Sequence, residues 1–403
     1  MLDNNISREI YLINMIKGLL SEREMELPDI EIEKLLKILN EDKGIISLGP
    51  GQPDFGPPKH VTNAACKALR RGEYRYSPVQ GRRELLEAIT VKLKKENKIN
   101  LSPENIIVTC GSNEAILIAL MSTIDPGEQV LVPDPCFLDF IPAIELLNGQ
   151  AISIPTYQND NFQLTGEMIR EQIKEPKKTR AIIINTPCNP TGAVYSKKVL
   201  EEVATIAREY NLLIISDEAY EKFVYKGKHI SIGSLNGMSD HVLTMQSFSK
   251  QYGMPGLRVG YAAGPKKIIE TMCKLHVHTS LCAPTVSQLA AVDALKGKQE
   301  YQKHIKEYDK RRKFIVKRIN EIRGFYCNEP EGAFYAFPRF DFKMSSHELC
   351  RWLIKNAKVA VAPGSDFGRY GEGFIRLSYA TDMKKIEIAM DRIEKATKKL
   401  KNR

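Results

Sequence analysis

Three short apolar runs in the middle of the chain each end on residues able to do acid–base or nucleophilic chemistry. After AIII come Asn185 and the segment TPCNPTG; after LLII come Ser216, Asp217, Glu218, Ala219 and Tyr220; after VLTMQ come Ser247, Phe248, Ser249 and Lys250. In an open parallel sheet, ligands sit beyond the carboxyl ends of the strands. An amide, a carboxylate with a phenol, and a lysine would then converge on one pocket mouth. A lysine beside a carboxylate and a phenol is, alone, most often an ion-pair network. The segment SFSKQYGMPGLRVG shifts that balance, since it places hydroxyls before Lys250, glycines after it and Arg258 beyond. Glycines allow close backbone turns and an arginine gives a planar bidentate clamp, which together suit a phosphate anchored next to an amine nucleophile.

The surrounding pattern supplies elements to hold these groups. From about Leu101, short β-branched runs alternate with helical periods, as in βαβ units with a parallel sheet. Strands are predicted at Ile106–Thr109, Gln129–Val132, Ala151–Ile154, Ala181–Asn185, Leu212–Ser216 and His241–Gln246. Val199, Leu200, Val203, Ile206, Ala207 and Tyr210 recur at three- and four-residue steps and predict an amphipathic crossover helix. The fold class expected is α/β: a large doubly wound, mostly parallel sheet domain over residues 59–300, followed by a smaller α+β domain over 301–403. After Gly264 the pattern is helical to about Arg323, and short strands are expected at Ala333–Phe337 and Phe374–Ser378. Residues 1–58, helical in period and ending in LGPGQPDFGPP, are expected to pack on the smaller domain.

Composition narrows the function classes. A chain of 403 residues is long enough for a large and a small domain meeting at a cleft, and no repeat or low-complexity segment marks a solenoid or disorder. The net charge of +10 is spread among interleaved acids rather than gathered in a stripe, which favours small anions over nucleic acid. The densest basic runs, Lys310–Lys313 and Lys398–Arg403, are expected to be solvated faces. Eight scattered cysteines, with no CxxC and no Cys/His cluster, fit a reduced protein without a zinc site. Asp3 and the interruptions at Asn14 and Lys17 argue against a signal peptide or membrane span, so a cytoplasmic protein is expected, with no membrane partner. His276 and His278 lack the further ligands that a metal would need.

Taken together, the complete lysine motif SFSKQYGMPGLRVG, CNPTG and SDEAY, in that chemistry and order, resemble the class I/II aminotransferases of fold-type-I pyridoxal-phosphate enzymes. The resemblance runs from about Ile46 to Ala380, and TPCNPTGAV, EGAFYAFPR and VAVAPGSDFG are most similar to archaeal aromatic/aspartate aminotransferases. It implies that Lys250 carries pyridoxal 5'-phosphate as a Schiff base and, once freed, shuttles a proton. It further implies that Asp217 pairs with the pyridinium nitrogen, that Asn189 and Tyr220 donate to the phenolic oxygen, and that Phe137 stacks on the ring. Phosphate contacts carry over to Ser112, Asn113, Ser247 and Arg258, with Tyr76 reaching the phosphate of a neighbouring subunit in a homodimer that shares its sites. Arg376 in FIRLSYA carries over as the clamp on the substrate α-carboxylate, helped by Asn189 and the backbone of Gly51 and supported by Asn185.

The expected activity is transfer of an amino group between an L-amino acid, aromatic and/or aspartate, and a 2-oxo acid such as 2-oxoglutarate. Other reactions on the same fold, a β-lyase, racemase or decarboxylase, fit less well, because Asp217 with Arg376 would align the Cα–H bond rather than the carboxylate for cleavage. A non-enzymatic amino-acid sensor would need a DNA-binding domain for which the N-terminal segment is short. Asn113 is an uncharged amide where some bacterial-type aspartate enzymes carry a lysine for the distal carboxylate, which speaks against strict aspartate specificity. GPGQPD lacks the third glycine and the preceding strand of a dinucleotide fingerprint.

Overall fold

The computed structural model describes Asp42 and residues 44–400. The helical period before that point, the acidic start and the last three residues of the basic C-terminal run lie outside the described residues. The first described strand is β1 (Ile46–Ser47). The next seven form one sheet: β2 (Ile106–Thr109), β3 (Gln129–Asp134), β4 (Gln150–Pro155), β5 (Thr179–Asn185), β6 (Leu213–Asp217), β7 (Val242–Ser247) and β8 (Gly260–Ala263). Their order is β2-β8-β7-β6-β5-β3-β4. Neighbours from β7 to β4 run parallel, whereas β8 is antiparallel to both β7 and β2.

These strands read as near-continuous apolar runs because helices cover both sheet faces, as parallel sheets require. One face packs Ile107, Val130, Ile183, Ile215 and Leu243 under Ile116, Leu120 and Met272. The other packs Leu131, Ile182, Ile184 and Ile214 under Leu200, Val203, Ile206 and Ala207 of the crossover helix Lys197–Glu209. That helix starts where the Ser196 hydroxyl accepts the Val199 N–H at 3.3 Å, one of the donors a helix N-terminus leaves free.

Strand β8 is the strand of this sheet that the sequence pattern did not predict. Its residues GYAA carry no β-branched side chain, and Gly260 is there for close approach: a Cβ would lie 2.8 Å from both the Gln246 carbonyl oxygen and the Ser112 nitrogen. The bare backbone at Gly260 lets that end of β8 lie against the end of β7 and the start of helix Ser112–Thr123.

Beyond Lys296 the chain builds helix Tyr301–Glu321, strands β9 (Phe325–Tyr326), β10 (Tyr335–Ala336) and β11 (Arg339–Phe340), and helix Ser346–Ala357. Then follow β12 (Val359–Ala360), β13 (Ala362–Pro363), β14 (Ile375–Ser378) and helix Met383–Thr397. Strand β14 lies between β10 and β13 and is antiparallel to both, while β12 pairs in parallel with β1. A core of Ile315, Ile319, Phe334, Leu353, Leu377 and Ile393 reaches across to Tyr220 and Phe223 beyond β6. Through β1, the segment leading to Gly49 and Gly51 is attached to these C-terminal elements.

The basic run Lys310–Lys313 departs from the solvated face expected for it. Arg311 is 8% and Arg312 5% exposed. Arg311 pairs with Asp54 at 2.7 Å and Arg312 with Asp309 at 2.6 Å. Helical spacing explains this: the two arginines turn inward with Tyr308 and Ile315, and their planar heads find carboxylates there, while Lys313 stays on the solvent side with Asp309.

Candidate active site

Strand register places the first functional groups. Asn185 ends β5 directly opposite Asp217, which ends β6, and Ser247 ends β7 next to them. The Asn185 side chain donates to the Asp217 carbonyl at 3.0 Å and accepts the Asn189 N–H at 2.7 Å, so one amide fixes both the strand end and the CNPTG turn. Beyond these ends lies a cavity of about 200 Å³. Its wall includes Ser112, Asn113, Phe137, Asn185, Asn189, Asp217, Tyr220, Ser247, Lys250 and Arg258, together with Ser249, Ala219 and Pro255. Gly51 and Arg376 are tied to the wall through Lys250 and Asn189, and Tyr76 stands apart from it, 85% exposed.

Electrostatically, the wall holds charges in poor solvent. Burial brings the Lys250 amine down to about 8, helped by the positive Arg376 and opposed by Asp217. An amine near that value keeps about a tenth of its molecules neutral, and so nucleophilic, at neutral pH, far more than an ordinary lysine. Burial lifts the Asp217 carboxyl to about 6, against the stabilising N–H of Ala219 at 3.0 Å and the Lys250 charge. A cationic ring nitrogen next to Asp217 would restore its charge. Burial also drives Tyr220 well above its ordinary value, so it stays a protonated donor.

At one end of the cavity, the helix Ser112–Thr123 points its N-terminus inward, where free amides and the helix dipole attract an anion. Gly111 precedes it at φ +91°, and a Cβ there would sit 2.5 Å from the Arg258 guanidinium. Glycine thus leaves a cradle between the turn and Arg258, whose head donates to the Cys110 carbonyl at 3.0 Å and the Pro255 carbonyl at 3.3 Å. Asn113 is on the wall, but its side chain donates to Asp139 at 2.5 Å.

At the other end, Arg376 is 2% exposed. Its head donates to Asn189 at 2.9 Å and to the Gly49 carbonyl at 2.5 Å, and its Nε is buried without a hydrogen-bond partner among the described residues. A buried unpaired N–H on a cation is costly, so the group is built to receive an acceptor. The rings of Tyr335 and Phe367 flank the guanidinium at 4.5 and 4.6 Å.

The GPGQPD turn meets both the lysine and the arginine: the Gly51 carbonyl accepts from Lys250 Nζ at 2.7 Å, and the Gly49 carbonyl accepts from Arg376. Tyr335 and Phe367 were not singled out as site residues, because within EGAFYAFPR and APGSDFG an aromatic reads as core. Tyr335 also meets Tyr220, hydroxyl to hydroxyl, at 2.6 Å. His276 is engaged on both ring nitrogens, Nδ1 by the Val79 carbonyl at 3.0 Å and Nε2 by Glu114 at 3.3 Å.

A phosphate cradle, a nucleophilic lysine, a carboxylate for a ring cation and an arginine with an open donor form a donor set that fits pyridoxal phosphate with an amino-acid substrate. Comparison with known proteins agrees. The family model described as aminotransferase class I and II matches residues 43–393. The chain is 45% identical over 377 residues to an aspartate aminotransferase of Pyrococcus abyssi, covering 92% of this chain and 96% of that one. It is 44% identical over 388 residues to aromatic-amino-acid aminotransferase 2 of Thermococcus litoralis, covering 95% and 99%. The crystal structure of an aromatic aminotransferase from Pyrococcus horikoshii matches with a TM-score of 0.86 at 44% identity, over 90% of this chain and 98% of that one. The chain belongs to the class I and II aminotransferases and is a pyridoxal-phosphate-dependent, amino-group-transferring enzyme of fold type I.

Proposed function

We propose that this aminotransferase moves the amino group of an aromatic amino acid or aspartate to a 2-oxo acid such as 2-oxoglutarate, and back. The observation that carries the proposal is the joint placement of a depressed lysine, Asp217 and the Asn189–Arg376 pair around one cavity. Pyridoxal phosphate, when bound, supplies an aldehyde that takes the amino group and a ring that withdraws electrons from the substrate Cα. Lys250 holds the cofactor covalently and then moves a proton at the substrate Cα. Asp217 holds a proton on the ring nitrogen and so keeps the ring electron-withdrawing. Tyr220 and Asn189 donate to the phenolic oxygen, and Phe137 packs against the ring. Ser112, Asn113, Ser247 and Arg258 bind the phosphate. Arg376, oriented by Asn189 and supported through Asn185, grips the α-carboxylate and fixes which bond at Cα stands ready to break.

Its relatives, an aspartate aminotransferase and an aromatic-amino-acid aminotransferase, support this pair of substrate classes. Asn113, engaged by Asp139 and uncharged, supports a pocket that tolerates an apolar ring as well as an acid. The exposed phenol of Tyr76, with Tyr74 also 76% exposed, supports a homodimer in which each subunit completes the other's phosphate site. In this reading residues 59–300 form the cofactor-binding part and 301–403 the smaller part. Helix Thr285–Lys296 packs with Val61, Leu85 and Ile89, whereas Tyr301–Glu321 packs with the C-terminal core. No described helix is long and apolar enough to cross a membrane. None of the eight cysteines forms a disulfide, in keeping with a reducing, cytoplasmic setting.

The test is kcat/KM for phenylalanine, aspartate and alanine with 2-oxoglutarate as acceptor. Phenylalanine and aspartate are expected within about a hundredfold of each other, a difference under about 3 kcal/mol. Aspartate ahead by several orders of magnitude would overturn the dual range and demand a dedicated distal cation.

A further inference from the structure

Tyr335 touches both halves of the site. It sits on β10, fully buried, with its ring 4.5 Å from the Arg376 guanidinium and its hydroxyl 2.6 Å from that of Tyr220. The same hydroxyl fills the space next to Gly51, where a Cβ would collide with it. Gly51 in turn accepts from Lys250.

We propose that Tyr335 is a positioning residue with two separable jobs, its ring holding the Arg376 guanidinium for the α-carboxylate and its hydroxyl aiming the Tyr220 proton at the cofactor. The inference rests on the roles proposed for Arg376 and Tyr220 above.

Both phenols are buried and burial keeps both protonated, so the pair has two O–H donors and only one is used between them. Among the described residues Tyr335 reaches no acceptor besides Tyr220, whereas Tyr220 lies on the cavity wall. The arrangement that leaves no buried donor unmet has Tyr335 donating to the Tyr220 oxygen and Tyr220 donating into the cavity. A hydrogen bond received at its oxygen polarises the Tyr220 O–H and strengthens its own donation. A stronger donor stabilises negative charge on the cofactor's phenolic oxygen and so lowers the pH at which the lysine-bound chromophore titrates.

Two aromatic rings pack against the Arg376 guanidinium, Tyr335 at 4.5 Å and Phe367 at 4.6 Å. Together they form a slot that restricts the planar head while its Nε has no hydrogen-bond partner among the described residues. A phenylalanine keeps that slot and deletes the hydroxyl; a leucine deletes both.

The experiment uses the holoenzyme and two readouts: the midpoint of the cofactor's near-visible absorbance titration, and KM against kcat for the amino donor. Tyr335→Phe is expected to raise the midpoint by about 0.5 to 1 pH unit, the shift that loss of one ordinary hydrogen bond gives, while KM stays within about twofold. In a Tyr220→Phe background the same substitution should leave the midpoint where it is. Tyr335→Leu should raise the midpoint as well and increase KM about tenfold or more. Should the leucine variant not fold, Phe367→Leu tests the slot from its other side by the same KM readout. A Tyr335→Phe midpoint equal to that of the wild type, or a shift that persists without the Tyr220 hydroxyl, overturns the hydroxyl's job. An unchanged KM in the folded ring-deletion variants overturns the ring's. A wild-type protein with no titrating band would sink the site reading itself, a result distinct from either.

Discussion

Lys250, Asp217 and Arg376 are ionisable groups held in poor solvent around one cavity, and each is left short of the partner that would settle its charge. Burial lowers Lys250 to about 8, so the neutral amine that attacks an aldehyde becomes the majority form at a mildly alkaline pH. Capture of pyridoxal phosphate by cofactor-free protein should therefore speed up with rising pH along a titration centred on about 8. Stopped-flow absorbance measures this directly, and a centre close to that of free lysine would contradict it. Asp217→Ala should fold and bind cofactor yet lose about 10² to 10⁴ in the single-turnover rate of Cα deprotonation, the scale of one preorganised electrostatic group. A near-normal single-turnover rate would show that the ring nitrogen does not depend on Asp217.

Individual elements were legible to different degrees. Strands β3 to β7 announce themselves through β-branched runs bounded by polar tails, and the polar tails of β5, β6 and β7 line the cavity. Strand β8 was not legible, because its GYAA, with no β-branched residue and with Gly260 fitted for close approach, carries no periodic signal. Nor were Tyr335 and Phe367: an aromatic that flanks a buried arginine looks, in sequence, like any core aromatic, and only the fold brings 335, 367 and 376 together. The contacts of the GPGQPD turn, Gly49 with Arg376 and Gly51 with Lys250, were not legible either, since motif spacing does not resolve the path of the backbone.

His276, read from sequence only as an unsupported metal ligand, instead joins the end of helix Lys266–His276 to Glu114 in the first turn of helix Ser112–Thr123. Its Nε2 faces Glu114 at 3.3 Å as an ion pair rather than an in-line hydrogen bond. Although burial opposes it, hydrogen bonding and the Glu114 charge raise His276 to about 9, and Glu114 falls to about 2. For a histidine raised above its ordinary 6.5, the stabilisation is complete below that value and disappears as pH rises through about 9. Thermal stability should thus decline between those limits, and His276→Gln should flatten that decline. An unchanged pH profile in the variant would remove His276 from the account.

For the whole molecule, the proposed sharing of sites between subunits has a direct consequence. Lys250→Ala and Tyr76→Ala chains, each impaired alone, should regain activity when unfolded together and refolded, because a mixed dimer contains one site with both residues intact. Activity no greater than the sum of the separate variants would contradict a shared site. The positive net charge, spread over the surface, is consistent with small anionic substrates and was legible from composition, whereas which amino donor wins is set by side chains that the fold gathers from distant segments.

Lys250 is the residue proposed to carry the cofactor. Holoprotein treated with borohydride, which makes the lysine–cofactor link permanent, should yield on digestion and mass spectrometry one modified peptide, with the pyridoxyl group on Lys250 of SFSKQYGMPGLR. Modification at a different lysine, or none in a protein that still transaminates, would contradict the account.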